Sequence, residues 1–246
     1  MLGKIDKIDK FSLEKGRVLT GRFTIVELLG AGVEGEVYKV LENHTNKERA
    51  VKLFFPHMNQ NFKISARYAL KLDKLRESPI VMDYLSHEVI SLNGQRVACL
   101  ASEYIEGELL GNFIHRQRYR RIGVFPALHL LYSIVLGVES IHAKGEYHGD
   151  IHVENIIIKK FGLEFDLKII DFHHWGDSKK DNRDEDIIKL IRIFYDSLGG
   201  SKSYPKLPSS LKYIICGLKR SIILKKFKTI TALRIHLELM DWSDAV

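Results

Sequence analysis

An aspartate and an asparagine, Asp150 and Asn155, lie five residues apart directly before the apolar run at residues 156–158. A second carboxylate, Asp171, closes another apolar run at residues 167–170. We interpret both runs as short strands that deliver oxygen ligands to the same loop end. Mg²⁺ prefers oxygen ligands and usually binds through one or two carboxylates together with substrate phosphates. The spacing therefore indicates a site for Mg²⁺ and a phosphate.

A glycine-rich segment earlier in the chain could supply backbone contacts to that phosphate. Gly30, Gly32 and Gly35 follow a strand-like segment at residues 22–29, and strand-like sequence continues after them toward Glu42. Glycines let the backbone turn tightly and bring N–H groups close to phosphate oxygens. A dinucleotide-binding fold needs a helix after such a motif. We therefore favour a β-hairpin here.

Lys52 lies within the next predicted strand, at residues 48–55. Taken alone, a solvent-facing lysine on an edge strand and a lysine directed at phosphates fit this position equally well. Its place shortly after the glycines favours the second interpretation.

The elements that must position these residues change type near Glu106. Residues 1–20 read as a leading arm, and the first hundred residues predict five strands and one helix. Besides the three strands above, these are a helix at residues 62–76 and strands at residues 80–84 and 97–104. Beyond residue 106 the predicted elements are mainly helices, at residues 109–119, 127–142, 186–198, 209–218 and 229–240.

The composition is that of a folded protein, with 246 residues, 45% hydrophobic and 28% charged. A formal charge of +7 allows attraction to phosphates, nucleic acid or anionic lipid. We find no interleaved aromatic and basic pattern typical of a nucleic-acid motif. Cys99 and Cys216 lie far apart in apolar surroundings, which predicts two reduced core residues. With neither a signal core nor an apolar run of membrane-spanning length, we expect a cytoplasmic protein.

In this order the motifs resemble those of the protein kinase-like superfamily, most of all the compact bacterial eukaryotic-like serine/threonine protein kinases. The similar segments are the glycine-rich loop at 30–37, the strand-three lysine motif at 50–52, the hinge at 103–107, the catalytic loop at 148–155 and the DFG motif at 171–173. The resemblance spans roughly residues 20–240. It implies an α+β, two-lobed fold: an arm (1–20), an N-lobe (21–104) with a five-stranded antiparallel sheet and one helix, and a shortened, mostly helical C-lobe (105–246).

The resemblance also implies an ATP- and Mg²⁺-dependent enzyme that phosphorylates serine or threonine on a protein substrate. Asp150 would orient and deprotonate the acceptor hydroxyl. By the same resemblance, catalysis involves Asp150, Lys52 and His152; nucleotide binding involves Gly30, Gly32, Gly35, Val37, Ala50, Lys52, Glu103, Ile105 and Ile157; and Mg²⁺ binding involves Asn155 and Asp171.

Three departures from the kinase pattern surround the catalytic loop. Gly149 replaces the arginine that usually reads an activating phosphate, and His173 replaces the last glycine of DFG. His152 replaces a lysine, and our hypothesis is that its charge makes turnover fall above about pH 7. A central helix starting at Asp186 leaves a short segment after Asp171, without an Ala-Pro-Glu motif. We therefore do not expect regulation by activation-loop phosphorylation.

A further departure concerns Lys52. The helix after it carries Arg67 or Tyr68 where a kinase has the glutamate that pairs with this lysine, and Asp73 is the nearest carboxylate. Either Asp73 substitutes, or Lys52 is held differently, or the enzyme is weak.

These departures leave two other functions open. His-Gly-Asp and the short segment also resemble aminoglycoside- and sugar-type kinases, and the absent helix glutamate fits a pseudokinase that only binds nucleotide. The histidines at 142, 148, 152, 173 and 174 raise a zinc site, which we disfavour because no zinc-binding spacing accompanies them. The basic segment at residues 218–228 could dock an acidic partner, although such runs are more often solvated helix faces.

Overall fold

A computed structural model describes residues 7–161, 164–173 and 178–241. The chain forms two compact units. Unit 1 comprises Met1–Arg76 and Met82–Ile105, and unit 2 comprises Glu77–Val81 and Glu106–Val246.

Unit 1 is built on an antiparallel sheet of six strands in the order β1-β2-β3-β4-β6-β5. One α-helix, α1 (Lys63–Lys74), accompanies the sheet, preceded by a 3₁₀ turn at Gln60–Phe62. The strands are β1 (Val18–Leu19), β2 (Phe23–Ala31), β3 (Gly35–Glu42), β4 (Lys47–Phe54), β5 (Tyr84–Leu92) and β6 (Gln95–Glu103).

Alternation along the strands separates a buried face from a partly exposed one. On β3 and β4, Tyr38, Val40, Val51 and Leu53 are buried in one hydrophobic cluster, while the residues between them are half-exposed. Period-two alternation is what a strand with one covered face requires.

The residues predicted to form a leading arm contribute to that cluster. Phe11 and Leu13 are buried in it, and the backbone N–H of Phe11 donates to the Glu36 carboxylate over 3.2 Å. The N–H of Leu13 donates to the Tyr38 hydroxyl over 3.2 Å, and that hydroxyl donates to Glu36. Burial and this hydrogen bond raise the pKa of Tyr38 to about 12.

The prediction of five strands was wrong in number and at one position. The two-residue β1 was missed, and the strand expected at residues 80–84 is instead β5, which begins at Tyr84. The apolar residues Ile80 and Val81 belong to unit 2 and are buried there. Val81 forms an isolated bridge with Ile169. The polar residues of β5 hid its strand character.

Unit 2 is mostly helical and includes a small antiparallel sheet in the order β7-β8-β9. Its strands are β7 (Glu108–Leu109), β8 (Ile156–Phe161) and β9 (Glu164–Ile169). Its helices are α2 (Leu110–His115), α3 (Val124–Ala143), α4 (Lys179–Ser197), α5 (Gly200–Ser203), α6 (Ser209–Ile215), α7 (Arg220–Lys226) and α8 (Ile230–Leu239).

Helix α3 is the core helix of unit 2. By length and composition alone this helix could cross a bilayer. It is longer than the apolar run that the sequence suggested. Nine of its residues, from Ala127 to Ile141, are buried within the protein. Gly137 is required there, because a Cβ would lie 2.3 Å from the Ile80 side chain.

Two helix predictions need correction. Helix α4 begins at Lys179 and not at Asp186, because Ser178 caps it by accepting a hydrogen bond from the Asp181 N–H at 3.1 Å. Its charged first two turns concealed this start, since the apolar stripe begins only at Ile187. The helix expected at 109–119 ends at His115. Part of the basic segment at 218–228 forms a helix, α7, as the more common interpretation of such runs expects, and its Ile223 is buried.

Candidate active site

The three glycines of unit 1 lie at the end of the β2–β3 hairpin. Gly35 begins β3, and its carbonyl oxygen accepts a hydrogen bond from the Gly32 N–H across the turn, over 2.9 Å. A Cβ on Gly35 would lie 1.9 Å from the Leu53 oxygen, so only glycine fits there. Among the described residues, a Cβ added at Gly30 or Gly32 would meet no atom within 4 Å, which leaves the backbone at these two glycines accessible to a ligand.

Strand register brings Lys52 onto the same face as two predicted adenine-binding residues. Val37 pairs with Lys52, and Lys39 pairs with Ala50, across the antiparallel β3–β4 ladder. Directly paired residues share a face, and so do residues two apart on one strand. Val37, Ala50 and Lys52 therefore line one half-exposed face of the sheet, opposite the hydrophobic cluster.

The predicted hinge residues close β6. The Glu103 N–H donates to the Asp83 oxygen over 2.9 Å, and the Glu103 carboxylate accepts from the Asp83 N–H over 2.9 Å. Ile105 is the last residue of unit 1. The backbone leaving the sheet is thus clamped at Glu103.

A carboxylate and two aromatic rings surround the Lys52 ammonium group. Its Nζ lies 3.4 Å from Oε2 of Glu34, 5.1 Å from the Tyr68 ring centre and 5.2 Å from that of Phe54. Asp73 does not substitute for the expected glutamate, because it is exposed and bonded to Arg76 over 2.6 Å.

The catalytic-loop residues form a tightly bonded loop in unit 2. His148 is fully buried. Its Nδ1 accepts from the Asp150 N–H over 3.1 Å, and its Nε2 lies 2.8 Å from the Ile170 oxygen. One ring thus orients the backbone at Asp150 and ties it to the strand end before Asp171.

Asp150 and His152 are neighbours with half-exposed side chains. His152 Nε2 lies 3.4 Å from Oδ2 of Asp150. His152 Nδ1 accepts from the Glu154 N–H over 3.2 Å, which orients the ring. The hypothesis that a charge on His152 controls turnover stays a prediction.

The two predicted Mg²⁺ ligands come from adjacent strand ends. Ile156 pairs with Ile169, so β8 begins where β9 ends, and the Ile170 N–H donates to the Asn155 oxygen over 2.9 Å. Asn155 Nδ2 donates to the Asp150 oxygen over 3.0 Å, which orients the amide. Asp171 has a positive φ of 58°, a left-handed conformation that aspartate tolerates better than most residues. Ile157, half-exposed between buried Ile156 and Ile158, lies on β8.

These residues fit a magnesium–nucleotide complex by their donor chemistry. With its Nδ2 committed to Asp150, Asn155 presents an amide oxygen, and Asp171 adds a carboxylate; both are ligands that Mg²⁺ prefers. In the part of the chain that the structure describes, no three histidine, cysteine, aspartate or glutamate side chains are grouped to hold a metal by themselves. Of the histidines behind the zinc alternative, His174 lies outside the described residues.

Sequence reasoning missed the buried Asp186 of α4. Its Oδ2 accepts from the His148 N–H over 2.8 Å and lies 3.0 Å from His142 Nε2. Its Oδ1 accepts from the Gly149 N–H over 2.9 Å. The sequence pattern marked Asp186 only as a helix start. The available signal was a carboxylate bordering the apolar stripe of the helix, where a buried charge needs partners.

Gly149 departs from the kinase pattern for a steric reason. Its φ is +90°, and a Cβ would lie 2.7 Å from the His173 oxygen. The His173 N–H donates to the His148 oxygen over 3.0 Å. An arginine at position 149 would therefore be both strained and in collision with the backbone at His173.

Comparison with known proteins agrees with this geometry. Residues 23–204 match the family model for the protein kinase domain. The chain is 29% identical over 160 residues to serine/threonine-protein kinase pkn2 of Myxococcus xanthus, covering 63% of this chain and 18% of pkn2. It is 27% identical over 164 residues to serine/threonine-protein kinase PknA of Mycobacterium tuberculosis, covering 64% of this chain and 36% of PknA.

The solved structures extend the similarity to the fold. The kinase domain of Mycobacterium tuberculosis PknI matches with a TM-score of 0.67 at 17% identity, over 93% of this chain and 98% of that domain. This confirms the predicted kinase-like α+β fold. The chain spans only 18% to 36% of the length of the first curated relatives it matches. With a family model covering more than half of its residues, the chain belongs to the protein kinase family.

Proposed function

We propose that this chain transfers the γ-phosphate of ATP to a serine or threonine hydroxyl of a protein substrate. The observation that carries the proposal is the bonded loop in unit 2. There His148 and Asp186 fix the backbone at Gly149 and Asp150, next to the oxygen ligands Asn155 and Asp171. The curated relatives named as serine/threonine-protein kinases support the choice of acceptor.

The chemistry asked of the protein is positioning and charge neutralisation. Asp150 accepts the proton of the acceptor hydroxyl, and His152 Nε2 lies beside it, 3.4 Å from Oδ2 of Asp150. Lys52 neutralises charge on the α and β phosphates. The hairpin that carries Gly30, Gly32 and Gly35 covers them with backbone N–H groups.

Nucleotide and cation complete the proposed site. Val37 and Ala50 of unit 1 would contact adenine, and backbone groups from Glu103 to Ile105 would bind its edge; the role of Ile157 stays an expectation from the kinase resemblance. Asn155 and Asp171 would hold Mg²⁺, which when bound neutralises phosphate charge.

A small-molecule acceptor is the second candidate, favoured by one observation. Because α4 begins at Lys179, only residues 172–178 separate Asp171 from that helix. This is shorter than the sequence suggested, and it leaves little chain for a segment that could hold a protein substrate. Aminoglycoside- and sugar-type kinases, with the same His-Gly-Asp motif, fit a short segment.

A cytoplasmic location belongs to the proposal as well. Cys99 and Cys216 are buried, free thiols, as is usual in a reducing compartment, and this supports a cytoplasmic protein. Burial raises the pKa of the Cys99 thiol to about 12, so it is an inert core residue.

The test is the acceptor partition of labelled phosphate. The protein is incubated with γ-labelled ATP and Mg²⁺ in the presence of generic protein substrates, then of aminoglycosides and sugars, beside Asp150→Ala. Label on serine or threonine, absent with Asp150→Ala, supports the proposal. Label only on a small molecule supports the second candidate. Nucleotide binding without any transfer supports a pseudokinase.

A further inference from the structure

We propose that Glu34, in the turn of the β2–β3 hairpin, is the positioning residue that holds Lys52 for phosphate binding. The inference rests on the proposed phosphotransferase function. Glu34 Oε2 lies 3.4 Å from Lys52 Nζ, and the two side chains are only 21% and 13% exposed. A partly buried ion pair is screened less by solvent than a surface pair, so this contact orients the lysine effectively.

The helix beside Lys52 cannot supply the charge. Asp73 is the one acidic residue in the sequence of α1, and it is exposed and bonded to Arg76. What α1 offers is Tyr68, a buried residue whose ring centre lies 5.1 Å from Nζ. An aromatic face attracts the ammonium group but gives it less directional guidance than a carboxylate.

The backbone of Glu34 is anchored to the strand that carries the lysine. The Phe55 N–H donates to the Glu34 oxygen over 2.8 Å, and the next residue, Gly35, packs against the Leu53 backbone. The Glu34 carboxylate therefore extends from a fixed point close to Lys52. One ion pair thus couples the loop proposed to cover the phosphates to the lysine proposed to bind them.

The experiment removes the charge and then returns it from the helix. Glu34→Gln keeps the size of the side chain and removes its charge. We expect kcat to fall on the order of tenfold to a hundredfold, with a weaker Kd for Mg²⁺ and a fluorescent ATP analogue. The double variant Glu34→Gln/Tyr68→Glu places a carboxylate on α1 facing Lys52 and should recover most of both losses. Glu27→Gln, exposed on the same hairpin, is the matched control and should behave as wild type.

Glu34→Asp is a second variant, independent of any change in the helix. Because it keeps the charge on a shorter side chain, it should retain more activity and nucleotide affinity than Glu34→Gln. Wild-type kcat and Kd in Glu34→Gln, or tighter nucleotide binding, would overturn the inference and leave the proposed function standing, since the carboxylate would then be idle or competing with phosphates. Wild-type protein that binds no nucleotide would overturn both.

Discussion

One buried carboxylate, Asp186, organises the catalytic loop of unit 2. Asp186 accepts hydrogen bonds from two successive backbone N–H groups of the catalytic loop, at His148 and Gly149. It is 1% exposed, so its charge is stabilised by these donors and by the His142 ring. Asp150 can remain partly exposed, because these hydrogen bonds to the preceding residues hold its backbone in place.

Replacing Asp186 tests that role. Asp186→Asn leaves one acceptor oxygen and turns an NH₂ group toward backbone donors, so the free energy of unfolding should fall by about 2–3 kcal/mol. We expect kcat to drop while the Kd for nucleotide changes little, because Asp186 bonds the backbone at His148 and Gly149 and not the residues assigned to nucleotide or Mg²⁺. Chemical denaturation and steady-state kinetics measure both. Asp196→Asn, an exposed carboxylate on the same helix bonded to Arg192, is the control. Equal effects of the two variants would refute the role.

Glu42 gives unit 1 a defined pH dependence. Hydrogen bonds from Arg22, and then Thr45 and Arg49, lower its pKa from 4.5 to about 2, against the effect of burial. Because the folded pKa lies below the unfolded value, the stabilisation is fully present above pH 4.5 and is lost as the pH falls toward 2.

Glu42→Gln should therefore lower the free energy of unfolding at pH 7 by about 2 kcal/mol. The difference from wild type should shrink between pH 4.5 and about pH 2. Urea denaturation across this range measures it, with the exposed Glu27→Gln as control. A difference that stays constant on acidification would show that the ionised carboxylate is not its source.

At the scale of elements, the β2–β3 hairpin depends on close backbone approach. The sequence predicted the hairpin correctly, because strand-like residues flank the glycines on both sides. It could not show which glycine is sterically required. Only the paired strands reveal that Gly35 lies against the Leu53 carbonyl, whereas a Cβ on Gly32 would contact none of the described residues.

Two alanine substitutions separate these cases. Gly35→Ala should destabilise the protein by about 2–3 kcal/mol, because β3 must move away from β4 to admit a Cβ. Gly32→Ala should change the free energy of unfolding by about 0.5 kcal/mol or less. Thermal or chemical denaturation compares them. Equal stability of the two variants would contradict the close approach at Gly35.

The elements that sequence reasoning misplaced share a physical cause. Hydrophobic periodicity indicates which residues are buried. At the ends of helices and strands, the buried residues do not coincide with the residues of the element. The first turns of α4 are charged and solvated, so its start was placed seven residues late. Ile80 and Val81 are buried without belonging to a strand, so they drew the predicted strand away from β5.

For the molecule as a whole, ordered motifs predicted the fold better than the individual contacts. Glycine hairpin, strand lysine, catalytic loop and second aspartate keep their order along the chain, and the kinase-like fold follows. The side chains that contact each motif could not be predicted in this way. Glu34 lies 18 residues before Lys52, and Asp186 lies 36 residues after Asp150. Such pairings depend on tertiary structure. The lobe limits at residues 21–104 and 105–246 stay a proposal.

The central claim is that Asp150 assists phosphoryl transfer from ATP to a protein hydroxyl. Single-turnover transfer from γ-labelled ATP to a serine/threonine protein substrate, with enzyme in excess, measures that step directly in wild type and Asp150→Asn. The two proteins should bind Mg²⁺ and nucleotide with equal Kd, and the variant should transfer phosphate on the order of 10²–10⁴ times more slowly. Equal transfer rates, or no transfer by wild type despite nucleotide binding, would contradict the claim.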